Sequence, residues 1–282
     1  MKINNKDITG YYDATFIHYK RWWRLSKAHA IHYGIWEDGV KSFGGSLLHT
    51  NKVLMNKAEI KTTDKVLDAG CGVGGSTLYI HQQKNAEVTG ITLSHKQVEY
   101  ANNLANTYGI SDKVSFHVMD YTQTSFPDES FDVVWACESI CHLEDKSRFI
   151  TECYRILKKG GRLVLSDYFL PENNIKDKHQ LIEKWIKTWS IPNLPKSSAF
   201  IQELETSGFQ KTEHWDYSPK IKKSSCRMYY ASLLGAIPSI IYNVLHPKAS
   251  TYAKHHYRSG YFQYKALNKR LWQYIIILST KQ

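Results

Sequence analysis

Residues 66–76 read Val-Leu-Asp-Ala-Gly-Cys-Gly-Val-Gly-Gly-Ser, and this stretch decides the fold. An apolar run reaches an acid, Asp68, and four glycines then lead into a helical pattern. Glycines permit positive φ angles and a close approach of the backbone to a ligand, and the N-terminus of a helix offers free N–H groups. We therefore predict a nucleotide-binding loop between a strand and a helix. Gly70, Gly72 and Gly75 also fit the dinucleotide fingerprint, so the glycines alone do not identify the ligand.

The sequence after this loop alternates between strand and helix patterns. We predict strands near 65–70, 86–92, 113–119, 131–137 and 161–167, and helices near 75–84, 95–108 and 146–157. This alternation indicates an α/β fold in which a doubly wound sheet of parallel strands carries helices on both faces. Gly109 and the pair Gly160-Gly161 are predicted to end the second and third of these helices.

The flanking residues add further elements to this core. We predict helices over 44–60, 176–189 and 197–207, and strands over 209–216 and 272–279, which makes seven strands in total. The predicted parts are a helical N-terminal cover over 1–60, a Rossmann-like core over 61–217 and 269–282, and a basic, aromatic insertion over 218–268 before the last strand.

The net charge of +11 in 282 residues is concentrated in one part of the chain. No acidic residue follows Asp216, whereas eleven lysines and arginines do, so residues 1–216 are neutral in total. Such a basic region predicts an anionic substrate, an anionic lipid surface or nucleic acid, with solubilising charge as the alternative.

Cysteine usage and hydropathy indicate the cellular environment. The five cysteines form no CxxC pair, which favours reduced thiols over disulfides or a zinc site, and we predict no metal. The sequence has no apolar run of membrane-spanning length and no apolar signal region at its start. We expect a soluble, cytoplasmic protein without a transmembrane segment.

The end of the second predicted strand bears on the choice of cofactor. A dinucleotide-binding domain needs an acid there to hold the ribose hydroxyls. This chain instead reads Gly-Ile-Thr-Leu-Ser over 90–94, and no acid occurs before Glu99. Asp68 and Asp120 fit S-adenosylmethionine better, because its ammonium and adenine amino groups both need acceptors. Its sulfonium also favours aromatic and carboxylate surroundings.

Several segments together resemble class I S-adenosylmethionine-dependent methyltransferases, and within them the branch of tocopherol, sterol and prenyl-diphosphate methyltransferases. The resemblance extends over nearly the whole chain. The segments that carry it are Tyr11-Tyr12-Asp13, His32-Tyr33-Gly34, 67–76, 90–94 with Gln97, Asp120, Phe126-Pro127, 131–135 running into Glu138, Ser139 and His142, Gly160-Gly161 and the terminal strand.

The resemblance implies S-adenosylmethionine as cofactor and S-adenosylhomocysteine as product. The glycine loop would hold the methionine moiety, the segment after the second strand the ribose, and the residues after the third strand the adenine. A tyrosine of the N-terminal cover would fold over the cofactor. The implied cofactor-binding residues are Tyr11, Tyr12, Asp68, Gly70, Cys71, Gly72, Gly74, Thr92, Leu93, Gln97, Asp120, Tyr121 and Cys137.

Glu138 and His142 are the predicted catalytic residues. Carbon methylation of an alkene leaves a carbocation, which a buried carboxylate and aromatic faces stabilise. Methylation of oxygen, nitrogen or an activated ring carbon favours a histidine base. Both residue types are present, so both mechanisms stay open. The predicted substrate-binding residues come from the N-terminal cover and the insertion: His32, Tyr33, Trp36, Arg227 and Tyr230.

Aromatic residues in both covering segments predict a small, largely apolar acceptor, such as a prenyl, sterol-like or ring compound. The basic insertion keeps a prenyl diphosphate as an alternative. We do not expect nucleic-acid binding, because the basic residues are interleaved with an apolar stretch suited to a lid; an RNA methyltransferase is the lower-ranked alternative. Peripheral membrane contact and a homodimer are compatible with the composition.

Overall fold

The computed structural model describes residue 10, residues 29–245 and residues 255–282, and the structural statements below concern these residues. The predictions for Tyr11 and Tyr12 fall outside them. No helix in the described ranges is long and apolar enough to cross a membrane.

Seven strands form one sheet, which confirms the Rossmann-like α/β prediction. Their order across the sheet is β3-β2-β1-β4-β5-β7-β6. All neighbours pair in parallel except β7, which runs antiparallel to both β5 and β6. The strands are β1 Lys65–Ala69, β2 Glu87–Thr92, β3 Val114–Val118, β4 Phe131–Cys137, β5 Leu157–Phe169, β6 Phe209–Asp216 and β7 Gln273–Lys281.

Eight α-helices lie within the described residues and connect or cover these strands. They are α1 Phe43–Lys57, α2 Gly75–Lys84, α3 His95–Tyr108, α4 Ser147–Ile156, α5 Leu181–Thr188, α6 Ser197–Thr206, α7 Lys222–Leu245 and α8 Ser259–Asn268. Short 3₁₀ helices occupy Ile140–His142 and His256–Arg258. Most of these bounds lie within a few residues of the sequence-based expectations, and Gly109 ends α3 in the left-handed conformation as predicted.

Gly160 and Gly161 do not end a helix, contrary to the prediction. Helix α4 ends at Ile156, and both glycines lie inside β5. There the pairing with β4 shifts register, because Phe131 faces Leu157 whereas Val133 faces Arg162. Gly160 has a φ of +73°, and a Cβ on Gly161 would lie 2.7 Å from the Lys158 carbonyl oxygen. The glycines therefore permit a tight irregularity in the strand.

The helix predicted over 176–189 is shorter than expected. It begins at Leu181 because Asp177 forms a turn before it: the Asp177 carboxylate accepts hydrogen bonds from the backbone N–H groups of His179 and Ile182. An Asx-type turn of this kind satisfies the free donors at a helix start and competes with an earlier helical turn.

The sheet is buried on both faces, as the alternation in β4 shows. Val133 and Trp135 pack in one apolar cluster with α1, α5 and α8, whereas Val134 and Ala136 pack in another with α4 and α6. Fully burying an apolar side chain of this kind stabilises the fold by roughly 1.5–3 kcal/mol. The two clusters hold the strand ends, where the candidate site lies, in fixed positions.

The segment before α1 is fastened to the start of α7. The Trp36 backbone N–H donates to the Lys220 carbonyl oxygen (2.9 Å), and the Trp36 indole Nε1–H donates to Ser224 Oγ (2.9 Å). Ser224 Oγ donates in turn to the Gly34 carbonyl oxygen (2.8 Å). These bonds bring the N-terminal and insertion segments together above the strand ends of the sheet.

Candidate active site

The glycine loop follows β1 at the carboxyl edge of the sheet, where ligands of open α/β sheets bind. Gly70, Gly72 and Gly74 all have positive φ angles, of +87°, +52° and +86°. The Ser139 hydroxyl, from the loop after β4, donates to the Ala69 carbonyl oxygen (2.7 Å). Side chains at these positions would be strained, and the loop therefore needs its glycines.

Gly70→Ala is expected to lower the free energy of unfolding by roughly 2–4 kcal/mol. The positive φ disfavours any side chain, and the new Cβ would lie 2.4 Å from the Ser139 Cβ. Gly39→Ala is the matched control, because Gly39 has a φ of +86° with no atom within 4 Å of an added Cβ. The control should lose only about 1 kcal/mol. If chemical denaturation shows the same loss of stability for both variants, the contact with Ser139 does not contribute to the effect of Gly70→Ala.

A cavity opens at this edge of the sheet and brings together most of the predicted site residues. Its walls come from the segment before α1, the glycine loop, and the ends of β2, β4 and β5. The predicted residues among its lining are His32, Asp68, Gly70, Cys71, Gly72, Thr92, Leu93, Gln97, Tyr121, Cys137, Glu138 and His142.

Other predicted residues lie outside this lining. Tyr33 is buried behind it, and its hydroxyl donates to Gln263. Arg227 lies over the Phe43 ring, 4.6 Å from its centroid, and Tyr230 is exposed on α7. Trp36 is bonded to Ser224 as described above. The structure therefore does not bring these four residues to the cavity.

Two further residues predicted to contact the cofactor, Asp120 and Gly74, are not among the residues that line the cavity. The Asp120 carboxylate accepts hydrogen bonds from the Thr122 backbone N–H (2.8 Å) and hydroxyl (2.7 Å). Gly74 is the N-cap residue directly before α2, and a Cβ there would lie 2.8 Å from the Phe116 ring. Gly74 allows the loop to pack closely on Phe116. The Asp120 carboxylate stabilises the turn after β3 through its bonds to Thr122.

Asp68 is a buried carboxyl at the cavity wall. Its Oδ2 accepts a hydrogen bond from Thr77 Oγ1 (2.6 Å), a residue in the first turn of α2. Burial raises the pKa of Asp68 to about 7, although the bonds from Thr77 oppose the shift. The side chain forms no salt bridge with another described residue. A cation bound at this wall would favour the ionised form.

Thr92 and Gln97 meet at the end of β2, where a dinucleotide site would have an acid. Thr92 Oγ1 donates to Gln97 Oε1 (2.7 Å), and the Ser94 hydroxyl caps α3 by accepting from the Gln97 N–H (3.3 Å). In the segment after β3, the Tyr121 hydroxyl donates to the Ser139 carbonyl oxygen (2.8 Å). These side chains form a polar wall without charge.

Glu138 has an unusually constrained position directly after β4. Its φ is +52°, a conformation that costs a non-glycine residue about 1–3 kcal/mol and that is often found at functional sites. Its carboxylate accepts hydrogen bonds from the Tyr33 backbone N–H (2.6 Å), the Tyr274 hydroxyl (2.8 Å) and the Tyr168 hydroxyl. The surrounding fold therefore holds the carboxyl group in one place.

The surroundings of Glu138 are apolar and aromatic. Tyr168 packs against Trp185, Trp189 and Trp272, and Tyr168 and Trp189 also line the cavity. Burial raises the pKa of Glu138 to about 8, while the bonds from the tyrosines and the amide oppose the shift. The group is therefore largely protonated at neutral pH and ionises readily when positive charge develops beside it.

Two histidines face the cavity as neutral rings. The His142 Nδ1 lies 3.3 Å from the Ser190 carbonyl oxygen, and the His32 Nδ1 lies 3.0 Å from that of Tyr33. A carbonyl oxygen only accepts, so Nδ1 carries the proton in both rings. Burial lowers the pKa of His142 to about 4 and also lowers the pKa of His32. His32 Nε2 is buried without a hydrogen-bond partner among the described residues.

His32, Cys137 and Glu138 also place one potential metal-ligand atom each within 4.8 Å of one another. The Glu138 oxygens already accept three hydrogen bonds, and the Cys137 sulfur lies 3.4 Å from the Ser166 hydroxyl. The ligand atoms of Glu138 and Cys137 therefore already have partners within the described residues, whereas His32 Nε2 has none. That the chain needs no metal stays a prediction.

Comparison with known proteins identifies the core. Residues 67–165 match the family model described as a methyltransferase domain. The core of this chain is therefore similar to methyltransferase domains. Its matched relatives include 27-O-demethylrifamycin SV methyltransferase of Amycolatopsis mediterranei (strain S699), 36% identical over 140 residues that cover 50% of this chain and 52% of that protein. Chloroplastic tocopherol O-methyltransferase of Arabidopsis thaliana is 32% identical over 174 residues, which cover 59% of this chain and 49% of that protein.

The chain spans about half the length of these curated relatives. Solved structures extend the likeness of fold to the whole chain. Geranyl diphosphate methyltransferase in complex with GPP and sinefungin has a TM-score of 0.79 at 19% identity and covers 99% of both chains. A cyclopropane synthase of Mycobacterium tuberculosis has a TM-score of 0.84 at 14% identity, and the superposition covers 100% of this chain and 99% of that one.

The cavity fits S-adenosylmethionine by the chemistry of its walls. Asp68 offers a buried carboxyl whose ionised form needs a cation, as the ligand's ammonium and sulfonium groups provide. Gly70 lets the loop pack directly against Ser139, since any Cβ there would meet that side chain. Thr92 and Gln97 offer uncharged polar groups suited to ribose hydroxyls. The class I methyltransferase fold named from the resemblance is confirmed.

Sequence reasoning did not identify Tyr168, Trp189 or Tyr274 as site residues. Tyr168 directly follows the strand predicted over 161–167, and the carboxyl ends of such strands face the ligand, so that position offered a signal. Tyr274 lies in β7 and reaches Glu138 across 136 residues of sequence. Nothing in the local pattern of β7 distinguishes it from an ordinary buried aromatic residue.

Proposed function

We propose that this protein transfers the methyl group of S-adenosylmethionine to a small, largely apolar acceptor and releases S-adenosylhomocysteine. The observation that supports this most is the position of Glu138. A buried carboxyl group, held by two tyrosine hydroxyls and an amide, lies on the wall of the cavity that also contains the glycine loop.

In this proposal the cofactor lies along the carboxyl edge of β1, β2 and β4. Asp68 and the loop from Gly70 to Gly72 hold the amino-acid end, Thr92 with Leu93 and Gln97 the ribose, and Tyr121 the adenine. When bound, S-adenosylmethionine supplies an electrophilic methyl group. The residues of the chain align the acceptor with it and exclude water, which together account for much of the rate of an in-line displacement.

Glu138 acts on the acceptor rather than on the cofactor. Its pKa of about 8 makes the carboxyl largely neutral in the empty cavity, and cationic charge on the acceptor favours its ionisation. The faces of Tyr168 and Trp189 add cation–π stabilisation. Once ionised, the carboxylate can also take the proton that a methylated carbon loses. These roles suit carbon methylation.

The histidines suit methylation of a hydroxyl group. His32 presents a buried Nε2 without a partner among the described residues, and a hydroxyl of the acceptor can donate to it. His142 is neutral above pH about 5, since its pKa is about 4. Either ring can therefore accept a proton at neutral pH without first losing one.

The charge of the cavity favours an acceptor without a diphosphate. Its described lining contains no lysine or arginine that could neutralise a buried anion. Prenyl diphosphate remains the second candidate because of the basic insertion. If it is the acceptor, the double variant Lys223→Glu, Arg227→Glu should raise KM for geranyl diphosphate at least about tenfold. An unchanged KM would remove it.

The test of the main proposal is incubation with methyl-labelled S-adenosylmethionine and fractionated cell extract. We expect the label in an apolar small molecule, which mass spectrometry then identifies. Label found only in RNA would instead support the RNA methyltransferase alternative. If calorimetry detects no binding of S-adenosylmethionine, the proposed methyl donor is wrong and the proposal is rejected. The cytoplasmic location, the homodimer and the three-part division of the chain stay predictions.

A further inference from the structure

The second half of helix α7 exposes a row of aliphatic side chains. A helix on a globular protein normally turns its apolar stripe toward the core. In α7 the buried residues include Ser224 and Ser225, which are 1% and 0% exposed. Leu234, Ile237 and Val244 are instead 75%, 70% and 75% exposed. The aliphatic side of this helix therefore faces outward.

The exposed aliphatic residues lie on one face of α7. Their spacing of three and four residues places them in a continuous row, since a helix turns once every 3.6 residues. We call this row the aliphatic strip; it consists of Leu233, Leu234, Ile237, Ile240, Ile241 and Val244. It is roughly 16 Å long at 1.5 Å per residue. Soluble monomers seldom expose contiguous apolar surfaces, which usually mark an interaction site.

Packing on the opposite face holds α7 in this orientation. The backbone of α7 approaches α8 so closely that a Cβ on Gly260 would lie 2.4 Å from the Met228 carbonyl oxygen and 2.5 Å from the Ser232 hydroxyl. The Ser224 hydroxyl also bonds the Gly34 carbonyl oxygen. The helix cannot turn its strip inward without losing these contacts, so the strip faces outward as a stable feature.

The charge around the strip is positive. Residues 217–282 contain no aspartate or glutamate. Lys222, Lys223 and Arg227 lie exposed in the first turns of α7, and Arg258 and Lys265 belong to the elements packed against it. An apolar strip beside basic residues is typical of helices that lie in the interface of an anionic bilayer.

We propose that the aliphatic strip of α7 binds the surface of anionic lipid bilayers. The aliphatic side chains enter the boundary between headgroups and acyl chains, while the neighbouring lysines and arginines contact anionic headgroups. A second copy of this chain fits less well, because an isologous contact through the same face brings two acid-free basic surfaces together.

Co-sedimentation with vesicles tests this binding. The full chain is mixed with vesicles of phosphatidylcholine alone, or of phosphatidylcholine with phosphatidylglycerol, at low and high salt. We expect binding to the anionic vesicles that weakens with salt. The double variant Leu234→Glu, Ile237→Glu should lower the partition coefficient at least about tenfold. Both positions are exposed, so the fold should persist, and circular dichroism checks it.

The double variant Gln82→Glu, Gln83→Glu is the matched control, since it adds the same charge at exposed positions on α2. It should bind anionic vesicles as the unchanged protein does. The proposal is overturned if the unchanged protein binds neither vesicle, or if both double variants lose binding equally. A dimer in light scattering that only the α7 variant dissociates, without vesicle binding, would assign the strip to a second copy.

Discussion

Glu138→Gln is expected to reduce methyl transfer by two to three orders of magnitude, a loss typical of removing a preorganised electrostatic group. Glutamine keeps the size of the side chain and can still accept hydrogen bonds, but it can neither carry negative charge nor take a proton. Binding of S-adenosylmethionine should change less than about threefold, because Glu138 is proposed to act on the acceptor. The measurements are the rate at which the acceptor found in the labelling experiment is methylated, and the dissociation constant of S-adenosylmethionine by calorimetry.

The same variant should be more stable than the unchanged protein at pH 8. The pKa of Glu138 is about 8 in the folded protein and about 4.5 in a free side chain. Because the folded pKa is the higher one, the stability that the protonated carboxyl contributes is complete below pH about 4.5 and is lost as the pH rises toward 8. The glutamine side chain does not ionise, so the variant does not lose this stability. At pH 8 the free energy of unfolding of the variant should exceed that of the unchanged protein by at least about 1 kcal/mol.

Glu152→Gln is the control for both readouts. Glu152 accepts hydrogen bonds from Thr124 and Arg155, and its pKa is lowered although burial opposes this. Its contribution to stability is therefore present above its unfolded pKa and lost at lower pH, the reverse of Glu138. It lies outside the cavity lining, so activity should persist. A Glu138→Gln enzyme with full activity would contradict the proposed role.

His142→Ala then separates the two chemistries. If Glu138→Gln abolishes turnover and His142→Ala does not, the acceptor is methylated at carbon and needs cation stabilisation or proton removal by the carboxyl group. The opposite result supports a histidine base and a hydroxyl acceptor. Full activity in both variants would show that neither predicted catalytic residue acts.

Asp68→Asn is expected to weaken S-adenosylmethionine binding about 10- to 100-fold. The carboxylate at the end of β1 is proposed to accept a charge-assisted hydrogen bond from the ligand's ammonium group, and the amide cannot replace the charge. Isothermal titration calorimetry measures the dissociation constant. An unchanged affinity would show that Asp68 does not contact the ligand's cationic end.

The affinity of the unchanged protein should rise with pH up to about 7. Burial raises the pKa of Asp68 to about 7, and only the ionised form suits a cationic ligand. One pH unit below that value, binding should be about tenfold weaker and should release a proton. The Asp68→Asn variant should lack this Asp68-dependent step, which calorimetry in buffers of different ionisation enthalpy detects.

Thr77→Val provides a control that leaves Asp68 in place. Thr77 donates to the Asp68 carboxylate (2.6 Å) and so opposes the rise in its pKa. Without this donor, the midpoint of the pH dependence should move to higher pH while the affinity at high pH changes little. A midpoint that does not move would assign the pH dependence to another group.

Local sequence patterns were sufficient for the framework of this protein. The order and type of most strands and helices depend on hydrophobic periodicity and on glycines at turns, which act over a few residues. The glycine loop from Gly70 to Gly75 and the missing acid after β2 are likewise local features, and they predicted the cofactor class. The prediction from sequence was wrong at Gly160 and Gly161, because glycines occur both at helix ends and at strand irregularities. Here they permit an irregularity in β5 and do not end a helix.

Tertiary structure alone decided the chemistry of the site and the exposed face of α7. Glu138 meets Tyr33, Tyr168 and Tyr274 across 105, 30 and 136 residues, and its raised pKa results from burial that no local pattern reports. Trp36, Arg227 and Tyr230 have suitable side chains for a substrate pocket, but the packing of α7 directs them elsewhere. The sequence by itself determined the backbone framework and the type of ligand, because both depend on neighbours along the chain. Which side chains converge, and in which state of ionisation, depends on contacts between distant segments.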